Sequence, residues 1–97
     1  MLAMELIPAI RARLARLDGD GKSALASGRR AALWRAQQQA ARISNNLEDV
    51  RRYCLESLSR HSVLESEHEN DYLRGYREGL QAVLKEIRAI ETRRRRP

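Results

Sequence analysis

The sequence predicts an all-α fold: a long antiparallel helical hairpin of coiled-coil type, preceded by a short N-terminal helix. Three observations point there. Ala, Leu, Arg, Glu and Gln dominate the chain, Phe is absent, and there are only 5 Gly and 2 Pro, which is the usage of long helices. Leu33, Ala40, Leu47 and Cys54 recur at heptad spacing, with Ala36, Ile43 and Val50 as the companion series; this a/d alternation marks a helix packed along one seam. After a polar interruption a second pair of series follows, Leu73, Leu80 and Ile87 beside Tyr76, Val83 and Ile90.

The first helix is expected from about residue 4 to 17. Leu6, Ile10, Leu14 and Leu17 make one apolar stripe, and Pro8 is tolerable only close to the first turn. The stretch "LDGDGKS" ends it, because Gly19 and Gly21 break a helix and Ser23 can cap the next. The second helix is expected from about 24 to 60. Asn45 and Asn46 are weak helix formers, but the heptads carry through them. "LSRHSVLESEHEND" then breaks the pattern. Ser62 with Glu65, and Ser66 with Glu69, each fit a capping box, so the chain turns near residues 59–62, or in a longer polar loop reaching Asn70. The third helix follows from about 63 to 92, and a basic tail closes the chain at 93–97. Matching seams and a short connection fold two such helices back on each other. Placing Val50 and Cys54 near Leu73 would bring Ala36 and Ala40 near Ile87 and Ile90, small residues against large.

With 97 residues and 4% aromatics, the chain has room for one domain and a modest core. A hairpin of this kind completes its core with a second copy or another protein, so self-association is expected. The net charge of +6 is uneven. Residues 1–42 hold eight basic and three acidic side chains, residues 43–70 three basic and six acidic, and Arg93, Arg94, Arg95 and Arg96 form a compact cluster. Such a pattern suits contacts between copies, nonspecific contact with a polyanion, or a solvated helical surface. The candidates for phosphate contact are Arg29 and Arg30 together with the four-arginine tail; nothing reads as a recognition helix or an aromatic stacking ladder. No segment approaches the ~20 apolar residues of a membrane span. A single cysteine and no signal-peptide pattern suit synthesis in the cytoplasm.

Gly75 and Gly79 stand one turn apart inside the third helix, and each costs roughly 1 kcal/mol against alanine. A helical wheel puts them with Ala82 and Ala89 on a face beside the seam, a strip of small residues that admits another backbone closely. That strip, with Tyr72 at its rim and Tyr76 on the seam, is a candidate packing face for the first helix or for another subunit. Trp34 projects about 100° from the seam and is a second candidate contact, either an interface anchor or a cover for the first helix.

Chemistry-bearing motifs are absent. Cys54, His61 and His68 are too widely spaced on one helix to share a metal ion, ~10 Å per step, and only a turn near Glu65 would converge them. "DGDGKS" lacks the first glycine and preceding strand of a phosphate-binding loop, and the final glutamate of a calcium loop. Neither catalytic residues, cofactor nor metal is expected, and the chain is not read as an enzyme.

The stretch "NDYLRGYREGLQAVLKEI" resembles small helical accessory and assembly proteins of tailed bacteriophages. The resemblance spans residues 70–90 and transfers no catalytic residue. It implies a structural or assembly protein that acts by binding other proteins, residing in the host cytoplasm or the virion. Two alternatives stand beside that reading: a nucleic-acid-binding packaging or regulatory protein, and a small phage inhibitor of a bacterial host protein.

Overall fold

A computed structural model describes residues 3–17, 23–42, 46–67 and 70–95. All regular structure among them is helical. A 3₁₀ turn, Ala3–Glu5, leads into α1 (Leu6–Leu17); α2 (Ala24–Ala41), α3 (Leu47–Glu67) and α4 (Asp71–Arg95) follow.

Pro8 falls in the first turn of α1, where its missing N–H has no helical partner to lose. Leu6, Ile10 and Leu17 are buried, as their spacing requires. Ser23 caps α2 by accepting a hydrogen bond from the Ala26 N–H at 3.1 Å. The long helix expected over residues 24–60 is two helices. Arg42 leaves the helical region (φ −67°, ψ 133°) while its N–H still donates to the Gln39 carbonyl. Asn46 then starts α3 with a reciprocal cap. The Asp49 N–H donates to Asn46 Oδ1 and the Asn46 N–H donates to Asp49 Oδ2, both at 3.0 Å. Two local bonds satisfy the orphan donors of a new helix end, and that outweighs the heptad continuity of the sequence.

The turn also moves. Residues 59–62, where the chain was expected to reverse, lie within α3. The reversal comes later, where Asn70 caps α4 by accepting from the Leu73 N–H at 2.8 Å. The register moves with it. Arg51 reaches Glu91, so α3 begins beside the end of α4, and Val50 does not stand near Leu73 as expected.

Chain direction follows from such pairs. Arg13 meets Glu86 and Arg94 meets Glu5, so α1 runs antiparallel to α4, as α3 does. The α2–α4 pair is the largest helix–helix contact among the described residues, and its register rises together: Leu25 stands against Gly75, and Arg29 and Ala32 against Gly79. These two helices are therefore parallel. They form the centre of the fold, with α1 and α3 flanking them. The core runs through all four helices, from Leu6 and Ile10 through Ala32, Leu33, Ala36 and Ala40 to Leu47, Val50, Cys54, Leu80, Val83 and Ile87. Of the seam positions read from the sequence, Leu33, Ala36, Ala40, Leu47, Val50, Cys54, Tyr76, Leu80, Val83, Ile87 and Ile90 are core positions, distributed over more helices than one hairpin; Leu73 is half-buried outside that core, and Ile43 lies outside the described residues.

Small residues make the central contact. Gly28, Ala32, Ala36 and Ala40 recur every fourth residue on α2, and Gly75 and Gly79 do so on α4. A Cβ built on Gly28 would stand 2.0 Å from the Tyr72 carbonyl oxygen, and one on Gly75 would stand 2.0 Å from that of Leu25. Neither position has room for any side chain. The two backbones touch, which directs Cα hydrogens at carbonyl oxygens across the contact.

Candidate functional site

The six residues expected at a protein interface separate into two groups. Gly75 and Gly79 are spent inside the molecule. At Gly79 an added Cβ would come within 2.7 Å of the Ala32 Cβ and 2.9 Å of the Arg29 carbonyl, so the strip grips α2 of its own chain. At these two glycines α2 supplies the complementary small residues, in place of α1 or a second subunit; Ala89, farther along the strip, is exposed. Tyr76 is also buried, with 6% of its surface exposed. Ala82 is half-buried, in a cleft where α1 meets α2 and α4.

Trp34 and Tyr72 remain at the surface, 51% and 43% exposed. Trp34 does not cover α1. It lines an open groove of about 450 Å³ between α2 and α3, with Arg35, Gln38 and Tyr53. Tyr53 in turn bonds to the Tyr76 hydroxyl; burial first, and that bond second, hold the Tyr76 phenol well above the usual tyrosine range. The Tyr72 and Tyr76 rings lie 6.4 Å apart, centre to centre, and tilted, a favourable aromatic arrangement. The chain's 1 Trp and 3 Tyr, its whole aromatic complement, are therefore linked in one series: Trp34, Tyr53, Tyr76, Tyr72. The outer members, Trp34 and Tyr72, present apolar area with polar tips.

Tyr53 is the member that sequence reasoning missed. On one continuous helix Trp34 and Tyr53 would sit roughly 28 Å apart. The break at Arg42 folds α3 back beside α2 and puts both in one groove. The Asn46/Asp49 capping pair was the available signal.

The arginines expected to contact phosphate do not converge. Arg29 donates from Nε and Nη2 to Glu78 Oε1, at 2.9 and 2.7 Å. Arg30 reaches the Leu17 carbonyl at the end of α1, at 3.5 Å. Arg93 and Arg94 are exposed in the last turns of α4, and Arg94 pairs with Glu5. From Glu78 to Arg94 is about 24 Å along α4, so these are two separate groups. Arg95 ends α4, its side chain and Arg96 lying outside the described residues.

Cys54 is fully buried, and burial pushes its thiol up to about 12. It is a core residue and carries negligible thiolate at neutral pH. Among the described residues no three acidic, histidine or cysteine side chains gather as metal ligands; His68 and the side chains of His61 and Glu65 lie outside that set, as do residues 18–22 of the "DGDGKS" stretch. No helix among the described residues is long and apolar enough to cross a membrane. Comparisons with protein families, curated proteins and solved structures return no match to this chain.

Proposed function

We propose that this chain is a non-enzymatic interaction module that self-associates or seats another protein on the aromatic groove between α2 and α3. The observation that carries the reading is Trp34, half-exposed beside Tyr53 on a rigid helical platform. Tryptophan and tyrosine supply large contact area at low entropic cost and are enriched where binding energy concentrates. A protein with so few aromatics would gain core stability by burying its one Trp; leaving it at a groove suits a partner that completes the burial. The resemblance of residues 70–90 to phage assembly proteins supports a structural or assembly role for that partner.

Light scattering combined with Trp34 fluorescence tests this. Self-association through the groove raises the mass with concentration and shifts Trp34 emission to the blue, and Trp34→Ala removes the mass increase without changing the melting temperature. An unchanged monomer mass for the native chain across the concentration range would eliminate self-association. A purified partner that binds Trp34→Ala as tightly as the native chain would eliminate the groove.

A second reading, nonspecific contact with a polyanion, draws support from the exposed Arg93 and Arg94 at the end of α4. It requires binding to duplex DNA at low salt that weakens steeply as salt rises.

A further inference from the structure

On the other side of α2, where the last turns of α1 cross α2 and α4, lies an open cleft of about 390 Å³. That is within the size range of small-ligand sites. Its apolar floor is Leu17, Leu33 and Ala82; its walls carry Arg13, Arg16, Arg29 and Lys85 against one carboxylate, Glu78.

The cations are not equivalent. Arg29 is held by Glu78 through two donors. Arg13 faces Glu86 at 3.6 Å, too long for a hydrogen bond, and its Nε is buried with no hydrogen-bond partner. Arg16 and Lys85 are exposed and have no ion pair among the described residues. They stand on different helices, α1 and α4, at the rim of the same concavity. Like charges gathered around a low-dielectric pocket raise its potential and favour an anion there. The carbonyl end of α1 would oppose an anion, but the Arg30 guanidinium already covers the Leu17 carbonyl.

We infer that this cleft binds a small organic phosphate, its phosphate held between Arg16 and Lys85 and its apolar body laid on Leu17, Leu33 and Ala82. Two cations unpaired among the described residues match a phosphate monoester, which carries about −1.5 to −2 charges at neutral pH. Arg16 supplies a planar fork of donors and Lys85 a compact point charge, both suited to phosphate oxygens. The apolar floor distinguishes the site from a surface that merely attracts anions, because it rewards a ligand with an organic body. This site is separate from the Trp34 groove and does not depend on it.

Isothermal titration of the full chain with 1-naphthyl phosphate, inorganic phosphate and 1-naphthol tests the assignment. Naphthyl phosphate binds one to one, and at least about tenfold more tightly than inorganic phosphate, as burial of an aromatic ring requires. Arg16→Gln and Lys85→Gln each weaken it by roughly tenfold, the loss of one charge-assisted hydrogen bond, and Lys85→Arg restores it. Both positions are exposed, so melting temperatures stay at the native value. Arg88→Gln, an exposed cation on α4 outside the cleft, leaves binding unchanged. No binding of naphthyl phosphate overturns the proposal. So does equal weakening by Arg88→Gln, which would show only the field of a basic protein, or equal affinity for naphthyl and inorganic phosphate.

Discussion

Substituting Gly75 by alanine isolates the contact on which the fold turns. Two effects of opposite sign compete. Alanine in a helix interior gains about 1 kcal/mol over glycine from backbone entropy. Against that, the new Cβ would stand 2.0 Å from the Leu25 carbonyl oxygen, with the Leu25 carbonyl carbon at 2.9 Å. A carbon and an oxygen settle at about 3.3 Å, so α2 and α4 must part by roughly 1.3 Å. Neither atom belongs to a flexible side chain that could swing away. The separation loosens the Ala32, Ala36 and Ala40 contacts behind it in the core, and overpacking of this kind costs about 1–3 kcal/mol or more. With both helix backbones rigid, the upper part of that range applies, and the net loss is about 2 kcal/mol. For a chain of this size each kcal/mol moves the midpoint by about 4–8 °C, so Gly75→Ala melts about 8–16 °C lower by circular dichroism at 222 nm. Gly28→Ala behaves alike, since its Cβ meets the Tyr72 carbonyl at the same 2.0 Å. Gly79→Ala is milder, because its nearest neighbour is the Ala32 methyl at 2.7 Å. Gln81→Ala, exposed on the same helix, is neutral or slightly stabilising. A Gly75→Ala protein that melts at or above the native temperature would refute the backbone contact.

Asn46→Ala removes the side-chain acceptor that starts α3 and lowers stability by about 1 kcal/mol, read by urea denaturation; no loss would mean that the helix does not begin there. Cys54 stays unreactive toward a thiol reagent at pH 8 in the native protein and reacts fully once unfolded, and rapid native labelling would contradict its burial. Its folded pKa of about 12 lies above the ordinary 9.0, so its contribution to stability is complete below pH 9 and is lost as pH rises from there toward 12. Glu91→Gln weakens the Arg51 pair, which bridges α3 to α4 and raises the Arg51 pKa foremost through that bond. Both side chains are about a third exposed, 27% and 30%, so the expected cost is only about 0.5–1 kcal/mol.

Periodicity made the helical character and most of the core legible. Leu33, Ala36, Ala40, Leu47, Val50 and Cys54 were read as one seam and are all buried. The same periodicity hid the break, because the series on α2 resumes in phase on α3 and heptad counting alone cannot see a reversal between them. Capping chemistry could: Asn46 and Asp49 stand three apart, as Asn70 precedes the start of α4. The glycine strip was legible as a close-packing face, since paired glycines in a helix need a compensating neighbour. Its partner was not, because Gly28 and the alanines that follow every fourth residue are ordinary helix composition until α2 is laid parallel to α4. Misplacing the break also separated Trp34 from Tyr53, and so concealed the groove. The cationic cleft draws on three helices and has no local sequence signature.

The parallel pairing of α2 and α4 can be measured by pulsed electron spin resonance with nitroxide labels at Ala24 and Arg74. Both positions are exposed, and each is the chain neighbour of a residue in the Leu25–Gly75 contact. Cys54, sealed in the core, takes no label. Dilution with unlabelled protein isolates the distance within one chain. The backbone contact predicts a separation under about 25 Å, label linkers included. On a single long helix paired at Cys54 and Leu73, Ala24 would lie thirty residues from that contact, about 45 Å away. A distance near that value would contradict the fold, and with it the groove and the cleft built on it.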